Sequence, residues 1–342
     1  MVKRLILVLI VLSFLGWGAW HLIRSKKETP VSLPTLHVLS YSSFIAKWGP
    51  GPVLKEKFES FCRCRVEFVE SPDAVQLVQR LKFESTLPFD VVLGFDQIEV
   101  LNVLKATSWI EPKIENVNWV PAVQGAVIEN KLFVYDWGPL AFVTRVDEIA
   151  KPQSLNDLLK PEFKNKIVLL DPRTSSPGMQ FLFWVVQVKG MDEGFAYLQK
   201  LSENLYSLAP SWSTAYGIFQ EKIVPLVLSY GTSPVYHLIE EKSENVQALP
   251  FIEGHPIQLE YVGIPATCKE CELADMFVNF IFSTEAQKIL MEKNYMLPAV
   301  VGVANGTPFE KVAEMKTLPL PSLELLSKKG EMIEQWKKMR RQ

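Results

Sequence analysis

The side chains in this sequence that could do chemistry are suited to holding a small molecule more than to transforming one. Ser175-Ser176 stand before Pro177-Gly178, and Thr232-Ser233 stand before Pro234. Hydroxyls and free amides at a helix start hold anionic or hydroxylated groups without any lysine or arginine. Tyr41, Trp48, Trp212, Tyr230, Tyr236 and Tyr295 supply aromatic faces, each worth ~0.5–2 kcal/mol against a flat cation. Asp73 and Asp136 are carboxylates that an amino group could donate to. Each has a structural reading beside the functional one. Aromatic residues are mostly core or rim, Ser-Pro pairs start helices, Asp73 after Ser71-Pro72 is a good N-cap, and Asp136-Trp137-Gly138 could serve a hinge.

The chemistry of catalysis is weakly represented. A nucleophilic cysteine must be a lone, activated thiolate, whereas Cys62/Cys64 and Cys268/Cys271 each have a near neighbour in sequence. An even cysteine count in an exported chain reads as disulfides, with local and long-range pairings both open; a four-cysteine zinc site is the competing reading. The sequence has no G-x-S-x-G. His37, His237 and His255 lack metal-ligand spacing among themselves, and Glu240-Glu241-Lys242 reads as a solvated helix end.

The elements that must position these residues alternate between strand and helix. Leu36–Ser40 reads as a buried strand, Pro52–Phe61 as an amphipathic helix, Arg65–Val69 as a second strand, a helix starts at Asp73, and Asp90–Leu93 is a third strand ending in Gly94. This βαβαβ order implies a parallel sheet with ligands at the carboxyl ends of its strands. A second unit begins near Leu140, with strands at Lys166–Leu170 and Pro225–Tyr230. Its helices start at Met179, Ser213 and Ser233, with Asp171–Gly178 as a loop feeding the first. Leu259–Ile264 returns to the first unit, closed by helices at Glu272–Phe282 and Thr284–Lys293. The expected division is 35–138 plus 257–320 for lobe 1 and 139–256 for lobe 2, with 321–342 as a C-terminal helical tail. Crossing segments near Tyr135–Leu140 and Pro256–Tyr261 leave a cleft between the lobes, where small ligands usually bind.

At the chain start, Lys3 and Arg4 precede an apolar run from Leu5 to Ile23, followed by Arg24, Lys26 and Lys27. That pattern directs export, as a signal peptide or an uncleaved membrane anchor over 1–27, and 28–34 is a linker. Without residues 1–27 the net charge is −7, which argues against nucleic-acid binding.

Taken together, Ser40-Tyr-Ser-Ser-Phe44 with Trp48-Gly-Pro-Gly-Pro52, Cys62-Arg-Cys64, Asp171-Pro-Arg-Thr-Ser-Ser-Pro-Gly178, Trp212-Ser-Thr-Ala-Tyr-Gly217 and Leu228-Ser-Tyr-Gly-Thr-Ser-Pro234 resemble the periplasmic thiamine-binding proteins of ABC transporters. The resemblance runs from Leu36 to about Val303. It implies a two-lobed α/β fold of the type II periplasmic binding protein class. It also implies ligand contacts at Asp73 with the amide of Ala74, at Ser175 and Ser176, at Trp212, and along Tyr230, Gly231, Thr232 and Ser233. Tyr41, Trp48, Tyr236 and Tyr295 would be cleft aromatics. The chain departs from the family pattern at Ala74, where glycine is common, at Gly231, where threonine is usual, and at Tyr295, in place of tryptophan.

The implied function is capture of thiamine, thiamine monophosphate or thiamine diphosphate for a membrane permease. The implied protein is a periplasmic monomer that needs no cofactor or metal, is not an enzyme, and contacts the membrane only through its N-terminal segment. The competing functions are the same fold with ferric iron or a polyamine as cargo, and a thiaminase-like enzyme with a cysteine nucleophile in the cleft.

Overall fold

A computed structural model of the chain describes residues 33–83, 89–115 and 117–341. The export segment over 1–27 and most of the linker over 28–34 therefore lie outside the described residues. The strands are β1 (Thr35–Tyr41), β2 (Arg65–Ser71), β3 (Val91–Asp96), β4 (Trp109–Ile110), β5 (Leu132–Arg145), β6 (Ile167–Leu170), β7 (Leu205–Ala209), β8 (Leu226–Tyr230), β9 (Val246–Ala248), β10 (Ile257–Pro265) and β11 (Leu297–Pro298). The helices of the first half are α1 (Ser42–Ile45), α2 (Gly51–Cys62), α3 (Ala74–Phe83) and α4 (Val100–Ala106). They are followed by α5 (Ser176–Lys189), α6 (Met191–Leu201), α7 (Trp212–Gln220), α8 (Ser233–Glu240), α9 (Cys271–Ile281), α10 (Thr284–Asn294), α11 (Leu323–Ser327) and α12 (Lys329–Arg341).

Two parallel-sheet units share one hydrogen-bonded path, β2-β1-β3-β10-β5-β8-β6-β7. Strand β5 makes the connection. Its residues Leu132–Pro139 pair antiparallel with β10, and Leu140–Thr144 pair with β8 of the second unit. All fourteen of its residues are buried, as expected of a strand that passes between two lobes instead of along an edge. The crossing point is held by Leu140 N–H donating to Pro256 O at 2.8 Å. Each lobe has its own core. One cluster gathers around Trp184, Phe142 and Phe183 in the second lobe. Two more lie in the first lobe, around Phe95 and Tyr261 and around Phe58 and Phe277.

Three local expectations are corrected. Strand β3 does not end at Gly94 but runs on to Asp96. Gly94 is the extra residue of a bulge opposite Tyr261/Val262 and takes φ +102°. A bulge residue with positive φ favours glycine, and here a Cβ would stand 2.3 Å from the Tyr41 ring. The second-lobe helix α5 starts at Ser176, three residues before Met179, because Pro177 fits the first turn and needs no amide partner there. Trp212 is the first residue of α7, not the residue before it, and Ser211 caps that helix by accepting from Thr214 N–H.

The tail is helical, and it packs on the second lobe: Met332 and Trp336 of α12 are buried in that lobe's core. The preceding residues already hydrogen-bond there, with His255 N–H donating to Lys316 O and Leu318 N–H to His255 O. The four cysteines form the two local bridges, Cys62–Cys64 and Cys268–Cys271, with Cα atoms 5.2 and 5.4 Å apart. Among the described residues no helix is long and apolar enough to cross a membrane.

Candidate functional site

A cavity of about 580 Å³ lies between the lobes. The first lobe contributes Tyr41, Ser43, Trp48, Asp73, Ala74, Gln258, Glu260, Lys293, Asn294, Tyr295 and Met296, and the second contributes Ser176, Pro177, Trp212, Ser213, Tyr216, Gln220, Tyr230, Ser233, Tyr236 and Glu240. Many of these sit at the carboxyl end of a strand or the start of the next helix, where a parallel sheet leaves its backbone groups open.

The floor is polar and acidic. Glu260 on β10 is 6% exposed and accepts three hydrogen bonds. Tyr41 Oη donates to its Oε2 at 2.7 Å, Tyr135 Oη donates to the same oxygen at 2.5 Å, and Gln258 Nε2 donates to Oε1 at 3.0 Å. Gln258 Oε1 in turn accepts from Tyr230 Oη at 3.0 Å. Burial pushes the Tyr41, Tyr135 and Tyr230 hydroxyls well above their usual range, with the charge of Glu260 as the next cause, so all three stay protonated as donors. Tyr41 reaches the floor only because Gly94 leaves room for its ring.

The walls and rim are aromatic. Trp212 stacks on Tyr216, with centroids 4.9 Å apart and planes 16° apart; the i, i+4 spacing on α7 puts both rings on one face. Its Nε1 donates to Ser229 Oγ at 2.9 Å. Tyr216 Oη meets His237 Nε2 at 2.8 Å, and His237 Nδ1 meets Glu241 at 2.7 Å. At the rim Tyr236 packs edge-on against Tyr295, whose hydroxyl donates to Glu240 Oε1 at 2.8 Å. Lys293 lies 3.9 Å from the same carboxylate. Glu240 is the exposed last residue of α8, a solvated helix end as its neighbours suggested, and it also lines the rim. Trp48 stands at the mouth, 56% exposed.

A third group of contacts joins the lobes beside the cavity. Asp73, at the start of α3, accepts from the Ser176 amide at the start of α5, 3.0 Å away. The Ser176 hydroxyl donates to Asp96 Oδ2, and Gln76 Nε2 donates to Thr174 O at 3.2 Å. A carboxylate at a helix N-terminus is favourable, yet desolvation dominates here. Burial raises Asp73 to about 7 against the Ser176 and Val75 amides that hold it down. Burial raises Asp96 to about 6, with Glu99 adding to the rise and Ser176 opposing it.

Ten of the residues singled out from the sequence line the cavity: Tyr41, Trp48, Asp73, Ala74, Ser176, Trp212, Tyr230, Ser233, Tyr236 and Tyr295. Four do not. Ser175 and Thr232 are buried one residue before their helices begin. Gly231 turns toward Met315 and Pro139 and donates its amide to Pro139 O at 2.8 Å, at the crossing point. Asp136 is completely buried behind Glu260 and accepts from Asn294 Nδ2 at 2.7 Å. Sequence reasoning passed over Glu260, Gln258, Asn294 and Tyr216. The signal for the first two was polar residues alternating with Leu259 and Tyr261 in a strand otherwise read as buried. All four cysteine sulfurs are tied in the two bridges, which leaves no thiolate for nucleophilic attack. Among the described residues no group of three or more His, Cys, Asp and Glu side chains could hold a metal ion.

The family model described as bacterial extracellular solute-binding protein matches residues 89–322. The chain belongs to that family. It is 36% identical over 307 residues to the thiamine-binding periplasmic protein of Brucella suis biovar 1, covering 88% of this chain and 91% of that one. It is also 36% identical over 310 residues to the thiamine-binding periplasmic protein of Escherichia coli K12, covering 89% and 93%. A solved structure titled periplasmic thiamin binding protein superimposes with a TM-score of 0.82 at 34% identity, covering 90% of this chain and 96% of that one. The architecture is thus the two-lobed type II binding-protein fold, and this solute-binding chain carries its cavity at the junction of its lobes.

Proposed function

We propose that this solute-binding protein captures thiamine, free or phosphorylated, in the periplasm and delivers it to the permease of an ABC importer without chemical change. The division into lobe 1 (35–138 with 257–320), lobe 2 (139–256) and tail (321–342) goes with this reading, with the tail attached to lobe 2. The observation that carries it is an interlobe cavity with aromatic walls and one buried, fully hydrogen-bonded carboxylate, Glu260, at its floor. Lys293 is the one basic side chain among the described lining residues, and it stands beside Glu240.

Thiamine is a flat aminopyrimidine joined through one carbon to a permanently cationic thiazolium with a hydroxyethyl tail. A carboxylate suits the amine and the positive charge, and tryptophan and tyrosine faces suit the cationic ring. Ser176 and Ser233 at the starts of α5 and α8 offer hydroxyls to the tail or its phosphates. The relatives that bear the name thiamine-binding support the same cargo.

Titration of the purified protein with thiamine, thiamine monophosphate and spermidine tests the assignment. Thiamine should bind with submicromolar Kd and quench tryptophan emission as Trp212 or Trp48 stacks on it. Absence of heat, quenching and thermal shift with thiamine and its phosphate would overturn the assignment.

A further inference from the structure

Asp136 and Glu260 face each other across neighbouring strands, paired in register between β5 and β10. A bulge follows at once, opposite Glu260/Tyr261, and it lets Tyr135 bond to the Glu260 carboxylate while the next residue, Asp136, lies beside the same group. Both carboxyl groups are buried, Asp136 completely and Glu260 to 6% exposure. Their hydrogen bonding is unequal. Glu260 accepts from Tyr41, Tyr135 and Gln258. Asp136 accepts only from Asn294, and its Oδ1 has no partner. Two buried carboxylates side by side, with no cation to divide between them, cannot both ionise, and the proton goes to the one with fewer donors.

We infer that Asp136 holds a proton in the empty site and surrenders it to solvent when a cation docks on Glu260, so that the protein exchanges one proton for its cationic ligand. The inference rests on the proposed cargo. Burial and the neighbouring charge of Glu260 both push Asp136 well above the usual carboxylate range. The arriving cation cancels the second of these. The proton leaves Asp136 as the ligand's positive charge arrives, and the charge of the site stays balanced.

The other groups around the pair would not serve as the donor. Tyr41 of β1, Tyr135 of β5 and Tyr230 of β8 face it as neutral hydroxyls whose acidity burial suppresses. Gln258 and Asn294 do not titrate. Lys293 lies at the rim beside Glu240. Asp73 and Asp96 stand in the interlobe contact, where Ser176 occupies both, and they are the groups the experiment must separate from Asp136.

Calorimetric titration with thiamine at pH 7, in phosphate, HEPES and Tris, reads the protons released as the slope of heat against buffer ionisation enthalpy. The expected slope is release of roughly half to one proton per thiamine, with affinity rising up to about tenfold per pH unit by linkage. Asp136→Asn should abolish the release, and Asp73→Asn and Asp96→Asn should each keep it. Binding of thiamine with zero release or with uptake would overturn the inference while leaving the cargo intact. Loss of the release in Asp73→Asn or in Asp96→Asn would assign the proton elsewhere and overturn it equally. If Asp136→Asn does not fold, the wild-type slope together with retained release in Asp73→Asn and Asp96→Asn still decides. No binding at all would instead count against the cargo.

Discussion

At the floor of the cavity, Glu260 is 6% exposed and accepts three hydrogen bonds, two of them from hydroxyls that are themselves buried. At the rim, Trp48 is 56% exposed and Tyr295 is held by one hydrogen bond to Glu240. The floor is pre-formed: its donors are fixed by a glycine bulge at Gly94 and a paired strand register, so a ligand pays little to order it. The rim is assembled from two lobes, with Tyr295 at the end of α10 on one side and Glu240 on α8 on the other. Charge recognition belongs where the dielectric is low and the groups are already oriented. Retention belongs where groups from both lobes can part.

The largest expected effect is therefore at the floor. Glu260→Gln keeps the shape and an acceptor for Tyr41 and Tyr135 but removes the charge. Affinity for thiamine should fall about a hundredfold, or roughly 2.7 kcal/mol, in a calorimetric titration. A loss under threefold would show that the floor does not read charge. Gly94→Ala, which drives a Cβ into the Tyr41 ring, should lower both the melting temperature and the affinity.

In the wall, Trp212→Ala should weaken binding by about tenfold or more, since stacking and cation–π attraction with burial are worth ~1–3 kcal/mol. Asp73→Asn separates the ligand role from the structural one. Asparagine keeps an oxygen for the Ser176 and Val75 amides and caps about as well, so the unliganded melting temperature should stay near wild type at pH 5, where the buried Asp73 carboxyl is protonated. Affinity should drop about tenfold if the carboxylate meets the ligand, and stay unchanged if it serves only the lobe contact.

A pH effect reads the buried aspartates of the lobe contact and of the floor together. Burial raises Asp96 to about 6 and Asp73 to about 7 in the folded protein, against ~3.9 for an unfolded aspartate. The folded chain thus binds more protons than the unfolded chain between about pH 4 and pH 7, and stability falls as pH rises through that window. The ligand-free melting temperature should be lower at pH 8 than at pH 5, and Asp96→Asn should reduce the difference while leaving the parts that Asp73 and the buried Asp136 contribute. A rise toward pH 8 would contradict the buried, bridging geometry.

The smallest effect is expected at the rim. Tyr295→Phe keeps the ring against Tyr236 and loses only the bond to Glu240, so thiamine dissociation, followed by stopped-flow fluorescence, should quicken only a few-fold. A larger change than Glu260→Gln produces would reverse the proposed division of labour.

How far the sequence could be read follows the same boundary. The rim and walls were legible because Trp48, Trp212, Ser176 and Ser233 stand in turn and helix-start motifs, where exposed aromatic and hydroxyl groups announce themselves. The two-lobed order was legible from the alternation of apolar strands and helices. The floor was not. Glu260 lies in a strand that reads as buried, and its value depends on Tyr41 and Tyr135, 219 and 125 residues away. Asp136 was singled out for its charge alone, and only the strand pairing reveals that it stands behind Glu260. The cysteine pairing was open for a similar reason, since spacing permits both arrangements and only the fold selects the local one.

Recognition of a cation by the buried Glu260 carboxylate can be read by comparing thiamine with deazathiamine, whose neutral thiophene replaces the thiazolium at nearly the same shape. Measured by competition against wild-type protein, thiamine should bind at least about thirtyfold more tightly, on the order of 2 kcal/mol. In Glu260→Gln most of that difference should vanish. Equal affinities for the two compounds in the wild-type protein would contradict the account.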